Sequence, residues 1–142
     1  MALSGDVSVT FTPELRALTI VATATALMWV PYVVGRMATF GVLAPIGNPG
    51  PGYPVDRPWM DRARRAHLNA IENLAVFAPL VLIAAIAGIS TPATVIAAWT
   101  YVGARFVHYV IYAAGIPVIR TLAFLVGACA TVTIGAVLVT VA

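Results

Sequence analysis

Three long apolar runs of this chain without a charged side chain, residues 17–35, 73–104 and 121–142, constrain its fold more than any motif does. A helix needs about 20 apolar residues, rising ~1.5 Å each, to cross a hydrocarbon core of ~30 Å. The middle run is too long for one crossing. Gly88-Ile89-Ser90-Thr91-Pro92 interrupts it, so it supplies the end of one helix and most of the next. Hydrophobic residues make up 61% of the 142 and charged residues 9%, too few charges to cover a water-soluble globule of this size. That excludes a soluble enzyme, a disordered tail and a nucleic-acid module. The chain reads as one integral membrane domain, residues 1–142, an all-α four-helix bundle with spans near 13–35, 58–87, 92–113 and 117–141.

Proline marks each start, in Thr12-Pro13, Arg57-Pro58, Thr91-Pro92 and Ile116-Pro117. It suits the first helical turn because its missing N–H would have no partner there, and the threonines can cap. Pro31 and Pro79 fall inside spans, where a kink is tolerated if neighbouring helices satisfy the freed carbonyls. The Pro- and Gly-rich segment 41–58 reads as an irregular loop. No basic residue precedes Arg16, so the first apolar run reads as a retained span rather than a secretory signal.

All eight basic residues are arginines. Arg36, Arg57, Arg62, Arg64 and Arg65 lie between the first two spans, Arg120 beside the third connection, and Arg16 alone on the opposite side. By the positive-inside rule both connections are cytoplasmic and both termini face outward. The lysine-free, Ala/Val/Gly-rich composition points to a bacterial source, and so to the inner membrane. The single Cys129 excludes an intrachain disulfide and reads as a small core residue. Trp29, Trp59 and Trp99 read as packing or interface residues.

The polar residues of the second and third spans are ordered. Arg65, Asn69 and Glu72 follow i, i+4, i+7, a stripe about 60° wide. Tyr101, Arg105, His108, Tyr109 and Tyr112 form a second stripe. Glu72 lies about 22 Å from the outer end of its helix and Arg105 about 20 Å from the start of its own, so the two come out at similar depth. A charge at mid-bilayer costs at least ~2.5–3.5 kcal/mol and is paired or lines a cavity. One reading is a structural Glu72–Arg105 ion pair. It leaves Arg65, Asn69, His108 and Tyr112 without a role. Arg65, Arg105 and Arg120 against Glu72 give a surplus of positive charge on the cytoplasmic half, a place for an anion that also carries an ammonium. His67 reads as solvated or interfacial. His108 fits either a structural or a binding role, and the residue set offers no metal site.

The segment Arg64-Arg65-Ala66-His67-Leu68-Asn69-Ala70-Ile71-Glu72-Asn73 resembles the second-helix signature of the MAPEG family, membrane-associated proteins of eicosanoid and glutathione metabolism. Arg105-x-x-His108-x-x-x-Tyr112 and Arg120-Thr121 are similar to the third- and fourth-helix motifs of its prostaglandin-synthase members. The resemblance implies a homotrimer with glutathione bound at each subunit interface near the cytoplasmic side. It implies that Arg65, Asn69 and Glu72 hold the glutathione backbone and ammonium, and that Arg105, His108, Tyr112, Thr121 and Arg36 belong to the same site. Arg120, reaching in from a neighbouring subunit, would stabilise the thiolate. Phe124 stands where the prostaglandin-synthase members have a tyrosine, Leu68 replaces an arginine, and the interval from Tyr112 to Arg120 is one residue shorter.

A free thiol titrates near ~8.5, and an arginine within about 4–6 Å favours its nucleophilic anion. The resemblance therefore implies a membrane-bound glutathione-dependent transferase or peroxidase acting on hydrophobic electrophiles that arrive through the lipid. Two rival readings are a MAPEG-fold protein that binds glutathione or another small anion without turnover, and a small four-span transporter using its membrane glutamate.

Overall fold

The computed structural model describes residues 10–47, 52 and 54–141. Its elements are helices α1 (Pro13–Leu27), α2 (Val30–Phe40), α3 (Pro58–Ile86), α4 (Pro92–Ala114) and α5 (Pro117–Val141), with a short 3-10 turn at Ala44–Ile46 between α2 and α3. All four proline-marked starts fall where the sequence places them. Thr12 caps α1, its hydroxyl accepting from Leu15 N at 3.3 Å. Thr91 and Thr94 form a reciprocal capping box on α4. In the segment 41–58 the residues 48–51 and 53 lie outside the described set, as do Asp6 and the rest of residues 1–9.

The first span differs from its expected course. It runs on to Phe40 and breaks at Met28-Trp29 into α1 and α2. Pro31 is the cause, because it cannot donate to the carbonyl one turn back. A neighbour serves the next carbonyl along, which the break also opens. Tyr109 of α4 donates to the Met28 carbonyl at 2.8 Å. Pro79, by contrast, sits inside an unbroken α3.

Helix α4 is the centre of the bundle and packs on α1, α3 and α5. Its buried face holds Ala97, Ala98, Tyr101, Val102, Ala104, Arg105 and His108. Phe77 of α3 stacks on Tyr101 at 3.7 Å between centroids, joining a core that includes Val21, Val81 and Ile134. The Pro13–Phe40, α3 and α5 segments are long and apolar enough to cross a membrane. α4 has the length for a crossing, at 23 residues, but keeps its polar stripe inside the bundle.

Two polar ties define the ends of the bundle. At one, the buried carboxylate of Glu14 accepts from Ser90 Oγ at 3.0 Å and from Thr94 Oγ1, joining the start of α1 to the α3–α4 turn. At the other, Arg62 Nε donates to the Ala113 carbonyl at 3.0 Å, joining the start of α3 to the α4–α5 turn. Cys129 is exposed on the outer face of α5, not in the core. The core-facing row of that helix is Ala123, Gly127, Ala130, Ile134 and Leu138, and Cys129 falls off it.

Candidate functional site

The site forms where α4 turns into α5. Gly115 ends α4 in the left-handed conformation, φ +83, a region that L side chains avoid. Arg62 packs beside it and sets a cation at the negative end of the α4 dipole. Beside this turn Asn69 of α3, His108 and Tyr112 of α4, and Arg120, Thr121 and Phe124 of α5 line an open cavity of about 230 Å³. The Arg120 guanidinium lies 4.4 Å from the Tyr112 ring centroid, within cation–π range. His108 meets Tyr112 edge-on at 5.5 Å. Thr121 Oγ1 donates to the Pro117 carbonyl at 3.1 Å. Among the described residues no carboxylate lines this cavity. Arg120 and the Asn69 amide bring donors to a wall otherwise made of rings and the Thr121 hydroxyl, chemistry that suits an anion.

The sequence-predicted residues divide into three groups. Asn69, His108, Tyr112, Arg120 and Thr121 come together in the wall, joined by Phe124, singled out in the sequence only for its missing hydroxyl. Arg105 stands behind the wall, 1% exposed. It donates through Nη1 to Asn69 Oδ1 and through Nη2 to the Phe124 carbonyl, both at 3.3 Å, and lies between the Tyr101 and Phe124 rings at 5.2 and 5.5 Å.

Arg65, Glu72 and Arg36 are outside the wall. The Glu72–Arg105 ion pair does not form, and Glu72 is exposed on the outer side of α3. Helix geometry gives the reason. At 3.6 residues per turn, Arg65 and Glu72 lie about 40° and 60° to the same side of Asn69. The bundle takes the Asn69 edge of the stripe and leaves the other edge facing out. Arg65 bonds Asp61 at 2.8 Å, and Arg64 reaches the other Asp61 oxygen at 3.4 Å. Arg36 pairs with Asp56 at 2.5 Å and lies over the Phe40 ring. His67 is half-buried rather than solvated, sharing a 3.1 Å hydrogen bond between its Nδ1 and the Tyr32 hydroxyl.

Sequence reasoning missed Gly127. A Cβ at that position would stand on the Arg105 guanidinium. Its signal was the small-residue row of α5, with Gly127 between Ala123 and Ala130 at helical spacing.

Fold and site together define a helical integral membrane protein with a donor-lined cavity near one face. The MAPEG family model matches residues 17–140, nearly the whole chain, and the chain belongs to that family. No curated protein and no solved structure matches it.

Proposed function

We propose that the protein is a membrane-bound glutathione-dependent transferase or peroxidase that acts on hydrophobic electrophiles. The observation that carries this reading is the cavity wall, where Arg120, Thr121 and Asn69 gather around a space with no carboxylate of its own. Such a wall fits an anion, and within this family the anion of choice is glutathione. At about 230 Å³ the cavity falls below the ~300–1,000 Å³ usual for small-molecule sites, so it takes part of a tripeptide. The rest of the ligand lies toward the outward edge of α3, where Arg65 and Glu72 are exposed.

In this reading Arg120 holds the sulfur as thiolate, and the thiol proton leaves to solvent. The thiolate attacks an electrophilic carbon, a C–S bond forms, and a leaving group such as chloride departs with the bonding pair. With a lipid hydroperoxide the sulfur attacks the O–O bond, the alcohol leaves, and a second glutathione reduces the sulfenic acid to give the disulfide and water.

A homotrimer with glutathione between subunits fits the outward position of Glu72. Fourteen residues before the end of α3 place it about 21 Å into the span. A carboxylate there does not face lipid at a cost of at least ~2.5 kcal/mol when a second copy or a ligand ammonium can cover it. Both termini would lie on the non-cytoplasmic side of an inner membrane, with Arg62 and Arg120 at the cytoplasmic end.

The second reading, binding without turnover, is favoured by Phe124, which offers a ring and no hydroxyl to the cavity. One experiment addresses both. Glutathione is titrated into detergent-purified protein while thiolate absorbance is followed, and turnover of chlorodinitrobenzene is measured on the same sample. Thiolate with product formation supports the transferase. Thiolate without product supports the binding protein, and no absorbance change removes the thiolate reading.

A further inference from the structure

We propose that Arg105 is a positioning residue that fixes the polarity of the Asn69 amide, and that Gly127 gives it the room to do so. A guanidinium has donors only, so the atom of Asn69 facing it is Oδ1. The amide is thereby oriented with Nδ2 toward the cavity, where it has no protein acceptor among the described residues. Arg105 cannot swing away. Its other arm donates to the Phe124 carbonyl, the Tyr101 and Phe124 rings flank it, and it is 1% exposed. On the α5 side Gly127 lies against it so closely that a single added methyl would displace the guanidinium.

Two consequences follow for the ligand. The group opposite Asn69 is a hydrogen-bond acceptor, a carboxylate or peptide carbonyl oxygen, and not an ammonium. Arg105 makes no contact with it and acts only through Asn69. This deepens the reading above and rests on it for the identity of the ligand alone. The orientation of the amide is a property of the unliganded chain.

The test joins a binding cycle to a spectrum of the free protein. Asn69→Ala and Arg105→Met should each weaken glutathione binding about tenfold by calorimetry, the scale of one hydrogen bond to a charged group. Arg105→Met added to Asn69→Ala should cost nothing more. Equal losses on both backgrounds would show Arg105 acting on the ligand directly, and the proposal would fall. Asn69→Asp keeps the acceptor for Arg105 but not the donor, so its unfolding temperature should hold while binding is lost. Unchanged binding in that variant would also overturn it.

The spectrum uses protein labelled with ¹⁵N at asparagine, of which the chain has three, Asn48, Asn69 and Asn73. The Asn69 side-chain amide, assigned from the Asn69→Ala spectrum, should give one sharp signal pair in the parent. It should shift or broaden in Gly127→Ala, which keeps Arg105 but moves it. Identical Asn69 signals in the parent, Gly127→Ala and Arg105→Met would refute the positioning role. If the spectra change as expected while the parent binds no glutathione, the glutathione reading fails and the positioning role stands.

Discussion

A guanidinium withdrawn from water must be given hydrogen bonds or it destabilises the fold. Arg105 receives an amide oxygen and a backbone carbonyl for its two Nη groups and two ring faces beside it, without a second charge, while its buried Nε is left without a hydrogen-bond partner. Arg120 is placed differently, resting on Tyr112 in the cavity wall with its donors open to a ligand. That contrast separates the roles of the arginines. Arg120→Ala should leave glutathione affinity within about a factor of ten and raise the pKa of the bound thiol by at least one unit, or ~1.4 kcal/mol of lost thiolate stabilisation. Its loss should fall on the turnover number. Arg65→Ala should do the reverse, weakening binding first. Thiolate absorbance followed against pH in both variants checks this, and a bound thiol in Arg120→Ala titrating with the parent removes Arg120 from the chemistry.

At the scale of elements, the α1–α2 break shows how a bundle absorbs a proline. Pro31 frees backbone acceptors in an apolar environment, and Tyr109 answers from α4. Tyr109→Phe keeps the ring and removes the donor. It should lower stability by about 1–3 kcal/mol, the cost of a buried carbonyl left without its partner. Thermal unfolding in detergent measures it, and a melting temperature equal to the parent's would mean that water serves the Met28 carbonyl. Helix starts were readable because proline and threonine act locally, through a missing N–H and a capping hydroxyl. The break itself was not. A proline inside a span bends or interrupts a helix according to what its neighbours can offer. Pro79 leaves α3 whole while Pro31 divides the first span.

For the whole molecule, the outward edge of α3 carries the proposal of a shared site. Glu72 lies deep in a span and is exposed. If a neighbouring subunit or a glutathione ammonium covers it, Glu72→Gln should weaken glutathione binding by ~1–3 kcal/mol, the range for a charge-assisted bond whose partner is left behind. Unchanged calorimetry would make the carboxylate a bystander. Native mass spectrometry of the parent should give a trimer, and a stable monomer would count against the shared site. Six of the eight arginines lie outside the bundle centre at the Arg62 end, so a C-terminal tag should label from the non-cytoplasmic side. Labelling from the cytoplasm would invert the topology.

An all-helical membrane chain, the starts of its long helices and the similar depth of its polar residues were all legible without coordinates. Those facts follow from local chemistry: uncharged length, proline and capping residues, and helical periodicity. The motif through Arg65, Asn69 and Glu72 also identified the family before any coordinate did. Which edge of that stripe faces inward was settled by the packing of the helices. A helix stripe names neighbours on one surface, but its rotation in the bundle is set by packing against α4, α1 and α5. That rotation brought Asn69 to Arg105 and turned Glu72 out. Gly127, more than twenty residues along the chain from Arg105, sits on a small-residue row that marks a packing face of α5 but does not name Arg105 as what packs there.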